Sequence, residues 1–166
     1  LPADFFNAAA EPRARGALLS TPGTGVQVSA DSDNPEQAAV RFGNINPTYS
    51  KIFKTFSKER LFSPVGGSNI VNLTFFVPGT QEPALVRGFG AVYTDVDKGK
   101  RKSSFKYFDK DGRLLGKFKV PAFNQGLSFL GVVFDQPKVA RVQITYGTVP
   151  LGQNDSDKED VAVMDN

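Results

Sequence analysis

Short runs of alternating apolar and polar residues, separated by glycine and proline, recur along most of the chain. Val71 and Leu73 occupy one face of such a run, and Asn72 and Thr74 occupy the other. Two further runs alternate in the same way, residues 113–120 and 138–146. Because successive side chains of a strand point to opposite faces of a sheet, this period of two predicts half-buried strands. With the shorter runs, the pattern predicts about ten strands and a jelly-roll-like antiparallel β-sandwich with little helix.

Three segments depart from this alternation. Residues 126–135, GLSFLGVVFD, are apolar at almost every position, which predicts a central strand covered on both faces. Residues 48–60 carry aromatic and aliphatic side chains at helical spacing, so the segment fits either a short amphipathic helix or an irregular crossing between sheets. The tetrapeptide DKDG at 109–112 predicts a hairpin turn.

The 166 residues, 40% of them apolar, suit one domain with a substantial core, and no linker divides them. We expect an N-terminal arm at residues 1–14 and a polar loop at 152–160 before a last strand. No run reaches the ~18 apolar residues that a membrane-spanning helix requires. The chain opens Leu-Pro without a basic or apolar leader, which is typical of a processed protein or a cut domain.

The chain has no histidine and no cysteine. Ser-His-Asp triads, thiol nucleophiles, zinc sites and disulfides are therefore excluded. Most acidic residues lie in predicted turns, and no strand places two carboxylates on a concave apolar face as a glycosidase requires. We therefore predict a protein that is not an enzyme. A bound metal would have oxygen ligands alone, which favours calcium.

Several blocks of the chain match a known pattern in order, among them GFGAVYTDVD at 88–97, GLSFLGVVFD at 126–135 and VAVMDN at 161–166. In these blocks the chain resembles a β-sandwich domain family of exported bacterial proteins, mostly without an assigned function. The resemblance implies a secreted or cell-surface domain and brings no catalytic residues. The chain differs from the family in two places: the family's last strand continues into an aromatic, apolar run, and its segment after Asp97 is neutral rather than basic.

Asp95 and Asp97 are the first candidate ligands. They lie two residues apart, so on an extended chain both carboxylates point the same way. Asp165 in the last strand, with Asp160, could complete an oxygen cage for a structural calcium ion. The alternative is that these carboxylates are solvated at the ends of strands.

Tyr49, Asn44 and Asn46 are candidate sugar contacts. A sugar ring stacks on an exposed aromatic side chain, and without tryptophan Tyr49 is the best exposed candidate. The two asparagines could bond sugar hydroxyls, although ordinary turn roles explain them equally well.

A basic segment begins at Lys98. Residues 98–119 carry nine lysines or arginines and two acids, and Lys98, Lys100, Arg101 and Lys102 are candidate contacts to a polyanion. The alternative is a solvated face with edge lysines that discourage aggregation. Nucleic acid is not an expected partner, because the interleaved aromatic residues are better explained as core.

The sequence thus predicts a non-enzymatic extracellular module with a structural, adhesive or self-assembling role, with calcium as a candidate stabiliser. Association would proceed by strand addition at the last strand or through residues 1–14. The alternatives are a carbohydrate-binding module for a polysaccharide and an electrostatic binder of anionic polymers.

Overall fold

The structure, a computed structural model, describes residues 5–6, 15–29, 40–57, 60–98, 102–152 and 159–165. These residues form eleven strands and a single helical turn. The elements are β1 Phe5–Phe6, β2 Ala17–Ser20, β3 Gly25–Val28, α1 Tyr49–Ile52, β4 Leu61–Val65, β5 Ile70–Phe75, β6 Gly88–Val96, β7 Ser104–Phe108, β8 Leu114–Lys119, β9 Phe123–Val133, β10 Arg141–Thr145 and β11 Val163–Asp165. The prediction of a nearly all-β chain is confirmed. No helix among the described residues has the length and apolarity to cross a membrane.

The strands of the described residues form two antiparallel sheets. The six-stranded sheet has the order β1-β3-β4-β11-β6-β9, and the five-stranded sheet has the order β2-β5-β10-β7-β8. The last eight strands pair as nested hairpins, β7 with β8, β6 with β9, β5 with β10 and β4 with β11. These four pairs alternate between the two sheets, which is the topology of a jelly roll. The predicted fold class is therefore confirmed.

The main core lies between the two sheets. Inward side chains of both sheets meet there, and Phe105 packs against Phe89 and Tyr93 with ring centroids 5.2 and 5.7 Å apart. A second, smaller core lies on the outer face of the six-stranded sheet, where Phe42, Tyr49 and other residues of the segment 40–57 cover β4 and β11. The segment 40–57 is therefore a third layer over one half of that sheet.

The lateral position of β9 differs from the sequence prediction. β9 was predicted to be central, but it lies at the edge of the six-stranded sheet within the described residues. The short β11 lies in the interior of the same sheet, between β4 and β6. The prediction was wrong because apolar residues on both faces of a strand indicate what covers those faces, whereas the position in the sheet depends on which strands pair.

The segment 48–60, which fitted either a short amphipathic helix or an irregular crossing between sheets, contains one helical turn in its described residues. α1 ends at Ile52, and Phe53 is extended, with ψ of 136°. Its buried aromatic residues pack onto β4 and β11, so the helical spacing reflected a covering segment rather than a long helix. Of the predicted arm, residues 5 and 6 form β1 beside β3, and the rest lies outside the described residues. Most of the predicted loop at 152–160 also lies outside them.

Candidate functional site

β6 contains a bulge at Asp95, close to the end of the strand. The pairing of β6 with β9 shifts register between Thr94 and Val96, and Asp95 adopts a φ of +63°. Its carboxylate accepts a hydrogen bond of 2.8 Å from the backbone N–H of Gln125. Because a bulge breaks the period of two, Asp95 and Asp97 do not occupy equivalent positions on one face. Asp97 meets Asp160 through its own backbone N–H, which donates to a carboxylate oxygen at 3.2 Å.

Asp165, in β11, is fully buried and attaches the covering segment to the sheet. Its carboxylate accepts hydrogen bonds from the hydroxyl of Ser57 at 2.6 Å, from the N–H of Ser57 at 3.1 Å and from the N–H of Phe56. Hydrogen bonds to a charged acceptor in a buried setting are among the strongest in a protein. Asp165 therefore has a structural role, which is to hold residues 56–57 against β11.

Two of the three carboxylates predicted to bind calcium accept hydrogen bonds within the protein. Asp95 accepts from Gln125, and Asp165 accepts from Phe56 and Ser57. In the described ranges there is no cluster of three or more acidic residues arranged to hold a metal ion. The bulge and the anchoring of the covering segment direct the carboxylates of Asp95 and Asp165 to different partners.

The expectation that Tyr49 is exposed is wrong. Its side chain is 0% exposed, its ring stacks on Phe53 at 4.8 Å, and its hydroxyl donates to the carbonyl of Gly152 at 2.8 Å. Asn46 has the turn role that was the alternative, because its side-chain oxygen accepts from both the N–H and the hydroxyl of Thr48. Asn44 is exposed. Tyr49 is buried because its segment packs onto the six-stranded sheet, so these residues do not form a stacking site for a sugar.

The basic candidates are described only in part. Lys98, just after β6, and Lys102, just before β7, are both exposed. Lys100 and Arg101 lie outside the described residues. The structure therefore places two of the four cations at the ends of strands in opposite sheets.

A groove that the sequence did not indicate lies on the six-stranded sheet beside β6. It has a volume of about 470 Å³, and its lining residues are Phe56, Ser57, Gly90, Ala91, Val92, Leu127 and Phe129. Phe56 and Phe129 are 73% and 66% exposed. A Cβ on Gly131 would lie 2.7 Å from the ring of Phe129, so this ring lies across a strand position that has no side chain.

Beside this groove, the described residues leave part of one flank of β6 without a paired strand. β6 has nine residues, and β11 pairs with residues 92–94 alone. Within the described part of the chain, no strand lies beside residues 88–91 on the β11 side. Gly88 and Gly90 lie in this stretch. A Cβ on Gly88 would meet the carbonyl oxygen of Val132, and a Cβ on Gly90 would lie 2.9 Å from the Cα of Gly131, so these glycines permit the close approach of β9 on the other flank.

Comparisons with known proteins add little to this geometry. No protein-family model and no curated protein matches the chain. Among solved structures, the chain is similar to the enzymatically active domain of tailspike protein 4 from bacteriophage CBA120, with 14% identity and a TM-score of 0.37. The match covers 90% of this chain and 18% of the tailspike chain, so the chain spans a small part of that protein. A likeness at this level carries no argument about function.

Proposed function

We propose that this protein is a non-enzymatic extracellular module with a structural or adhesive role, which associates with a second copy by strand addition beside β6. The observation that carries the proposal is the flank of β6 at residues 88–91, beside which the described residues place no strand, together with the apolar groove next to it. The extracellular location follows from the resemblance of the chain to exported bacterial domains.

This flank of β6 supports strand addition on two physical grounds. An unpaired strand edge presents backbone N–H and C=O groups to which an extended segment can bond, and apolar side chains beside it add affinity. Phe56 and Phe129 would bury much of their exposed surface against such a segment, at about 25 cal/mol for each Å² of apolar area removed from water.

The side chains available for chemistry support a role without catalysis. The chain has neither histidine nor cysteine. The carboxylates of Asp95 and Asp165 already accept hydrogen bonds from the backbone or from Ser57. These residues therefore favour the binding of an extended polypeptide segment over catalysis.

Light scattering across a concentration series tests this proposal. We expect the protein to associate with rising concentration, and Phe129→Lys to abolish the association by placing a charge in the groove. Phe123→Lys is the matched control, because Phe123 is 60% exposed on the same strand and does not line the groove.

Hydrogen exchange adds a residue-level readout. On association, the alternate amides of residues 88–91 that point away from β9 should become protected, because they enter a new ladder. A wild-type protein that stays monomeric at high concentration would contradict the proposal, as would equal effects of the Phe129 and Phe123 variants.

A further inference from the structure

The five-stranded sheet has an unusual distribution of charge. Its strands β2, β5, β7, β8 and β10, all of them described, contain no aspartate or glutamate. They contain four cations, Lys106, Lys117, Lys119 and Arg141. The strands of the six-stranded sheet instead contain two carboxylates and no lysine or arginine. The lysines and arginines within strands thus all lie in the five-stranded sheet.

The four cations lie on the outer face of the sheet. Lys106 stands between Phe105 and Tyr107, which are fully buried and point inward. Arg141 precedes Val142, which is buried in the same core. Because side chains alternate across a strand, the cations next to these inward residues point to solvent. Lys117 and Lys119 are both exposed.

Two of these cations are direct neighbours of like charge. Lys106 pairs with Lys117 across β7 and β8, and the described residues give neither of them an ion pair. Like charges directly opposite in a sheet destabilise it, and a nearby carboxylate would normally relieve them. Lys119, two residues further along β8, extends the positive surface. An anion bound across these ammonium groups would supply the missing countercharge.

Polar side chains continue this surface across the whole sheet. The strand register aligns Ser20 with Asn72, Asn72 with Gln143, and Gln143 with Lys106. With Lys117 this row crosses five strands, which corresponds to about 19 Å at the usual spacing of strands. The row therefore combines amide groups at one end with ammonium groups at the other.

Arg141 is held in place on the same face. Its guanidinium donates to the side-chain oxygen of Asn72 at 2.8 Å and lies 3.9 Å from the centroid of the Phe108 ring. A guanidinium fixed in this way loses little freedom when it binds an anion. The stacked Arg141 also covers the aromatic ring on which a nucleic-acid base would otherwise stack.

We propose that the outer face of the five-stranded sheet binds an acidic polysaccharide. The carboxylate or sulfate groups of the polysaccharide pair with Lys106, Lys117 and Lys119. The hydroxyl groups of the polysaccharide bond to Asn72 and Gln143. A flat face with cations and amides in one row fits an extended polyanion of repeating units that also carries hydroxyl groups. This inference does not depend on strand addition, because the groove lies on the other sheet.

Calorimetric titration with defined polymers tests the inference. The probes are polygalacturonate and heparin as acidic polysaccharides, dextran as a neutral one, and a single-stranded DNA oligonucleotide. We expect both acidic polysaccharides to bind with an affinity that falls steeply as salt rises, and dextran not to bind. We expect the oligonucleotide to bind at least 10-fold more weakly at the same salt concentration, since among the described residues no aromatic ring on this face is open to its bases.

Matched variants locate the binding site. Lys117→Glu should weaken the binding of polygalacturonate about 10-fold or more at low salt. The control is Lys51→Glu, which makes the same charge change at an exposed position of α1 over the opposite sheet. This control should change the affinity for polygalacturonate by less than about 2-fold. Circular dichroism of Lys117→Glu monitors its fold, and Lys106→Gln provides a second test if that variant unfolds.

Three results would overturn the inference: no binding of either acidic polysaccharide, equal losses for the Lys117 and Lys51 variants, or an oligonucleotide affinity equal to that of the polysaccharides. Phe129→Lys should leave polysaccharide binding intact even where it abolishes association. The inference and the proposed function can therefore fail separately.

Discussion

The two sheets of this sandwich share one core and have different outer faces. The five-stranded sheet exposes a polar and basic outer face to solvent. The six-stranded sheet has the segment 40–57 over β4 and β11, and an apolar groove beside β6 and β9. An inward face must be apolar in either sheet, so the inner residues say little about function. The difference between the outer faces is what suggests a role for each.

The difference also explains why buried charge occurs in one sheet. The six-stranded sheet needs an attachment for its covering segment, and the buried carboxylate of Asp165 provides it. The five-stranded sheet has no covering layer in the described residues, so its charges stay at the surface. The predictions below test this division, from the largest effect to the smallest.

Removing the carboxylate of Asp165 should have the largest effect. Asp165→Ala leaves the N–H groups of Phe56 and Ser57 without their acceptor, and we expect the free energy of unfolding to fall by about 3 kcal/mol. Urea denaturation measures this change. Asp111→Ala, in the exposed hairpin turn, is the control and should change it by less than about 0.5 kcal/mol. A loss below about 1 kcal/mol for Asp165→Ala would mean that the covering segment is held by other contacts.

Alkaline pH should lower the free energy of unfolding through the tyrosines of the shared core. Burial raises the pKa of the Tyr93 hydroxyl well above its usual value, with smaller contributions from Tyr146 and Tyr107, and burial raises the pKa of Tyr146 as well. The unfolded chain releases these protons first, so stability is kept below about pH 10 and falls as pH rises above it, by up to about 1.4 kcal/mol per pH unit for each tyrosine. Urea titrations from pH 8 to 11 measure the slope, and Tyr146→Phe should reduce it. An unchanged midpoint across that range would contradict the assignment.

Reversing one charge on the basic face should have the smallest effect and the opposite sign. Lys117→Glu replaces a like-charge pair with Lys106 by an attractive one, and we expect a gain of about 0.5 kcal/mol in the free energy of unfolding. Thermal denaturation at low salt measures it, with Lys51→Glu as the reference. A loss of stability would mean that packing of the Lys117 side chain on the sheet stabilises the fold by more than its like-charge repulsion destabilises it.

The sequence by itself determined the inward residues of β5 and β10. The alternation in residues 70–77 and 138–146 predicted inward Val71, Leu73, Val142 and Ile144, all of which are buried. It also determined the all-β class and the hairpin at 109–112, where Asp109 closes the turn with bonds to the N–H groups of Asp111 and Arg113. These features are local, because the period of a strand and the chemistry of a turn depend on residues close together in the chain.

The tertiary structure alone decided the lateral order of the strands and what covers their outer faces. β9 is at an edge and β11 is interior because of pairings between residues far apart in the sequence. Tyr49 is buried because the segment 40–57 packs onto β4 and β11. For the same reason the carboxylate of Asp165 accepts hydrogen bonds from Phe56 and Ser57. The groove and the row from Ser20 to Lys117 likewise exist through register between distant strands. Periodicity along a single strand contains no information about its neighbours, so these sites could not be predicted from it.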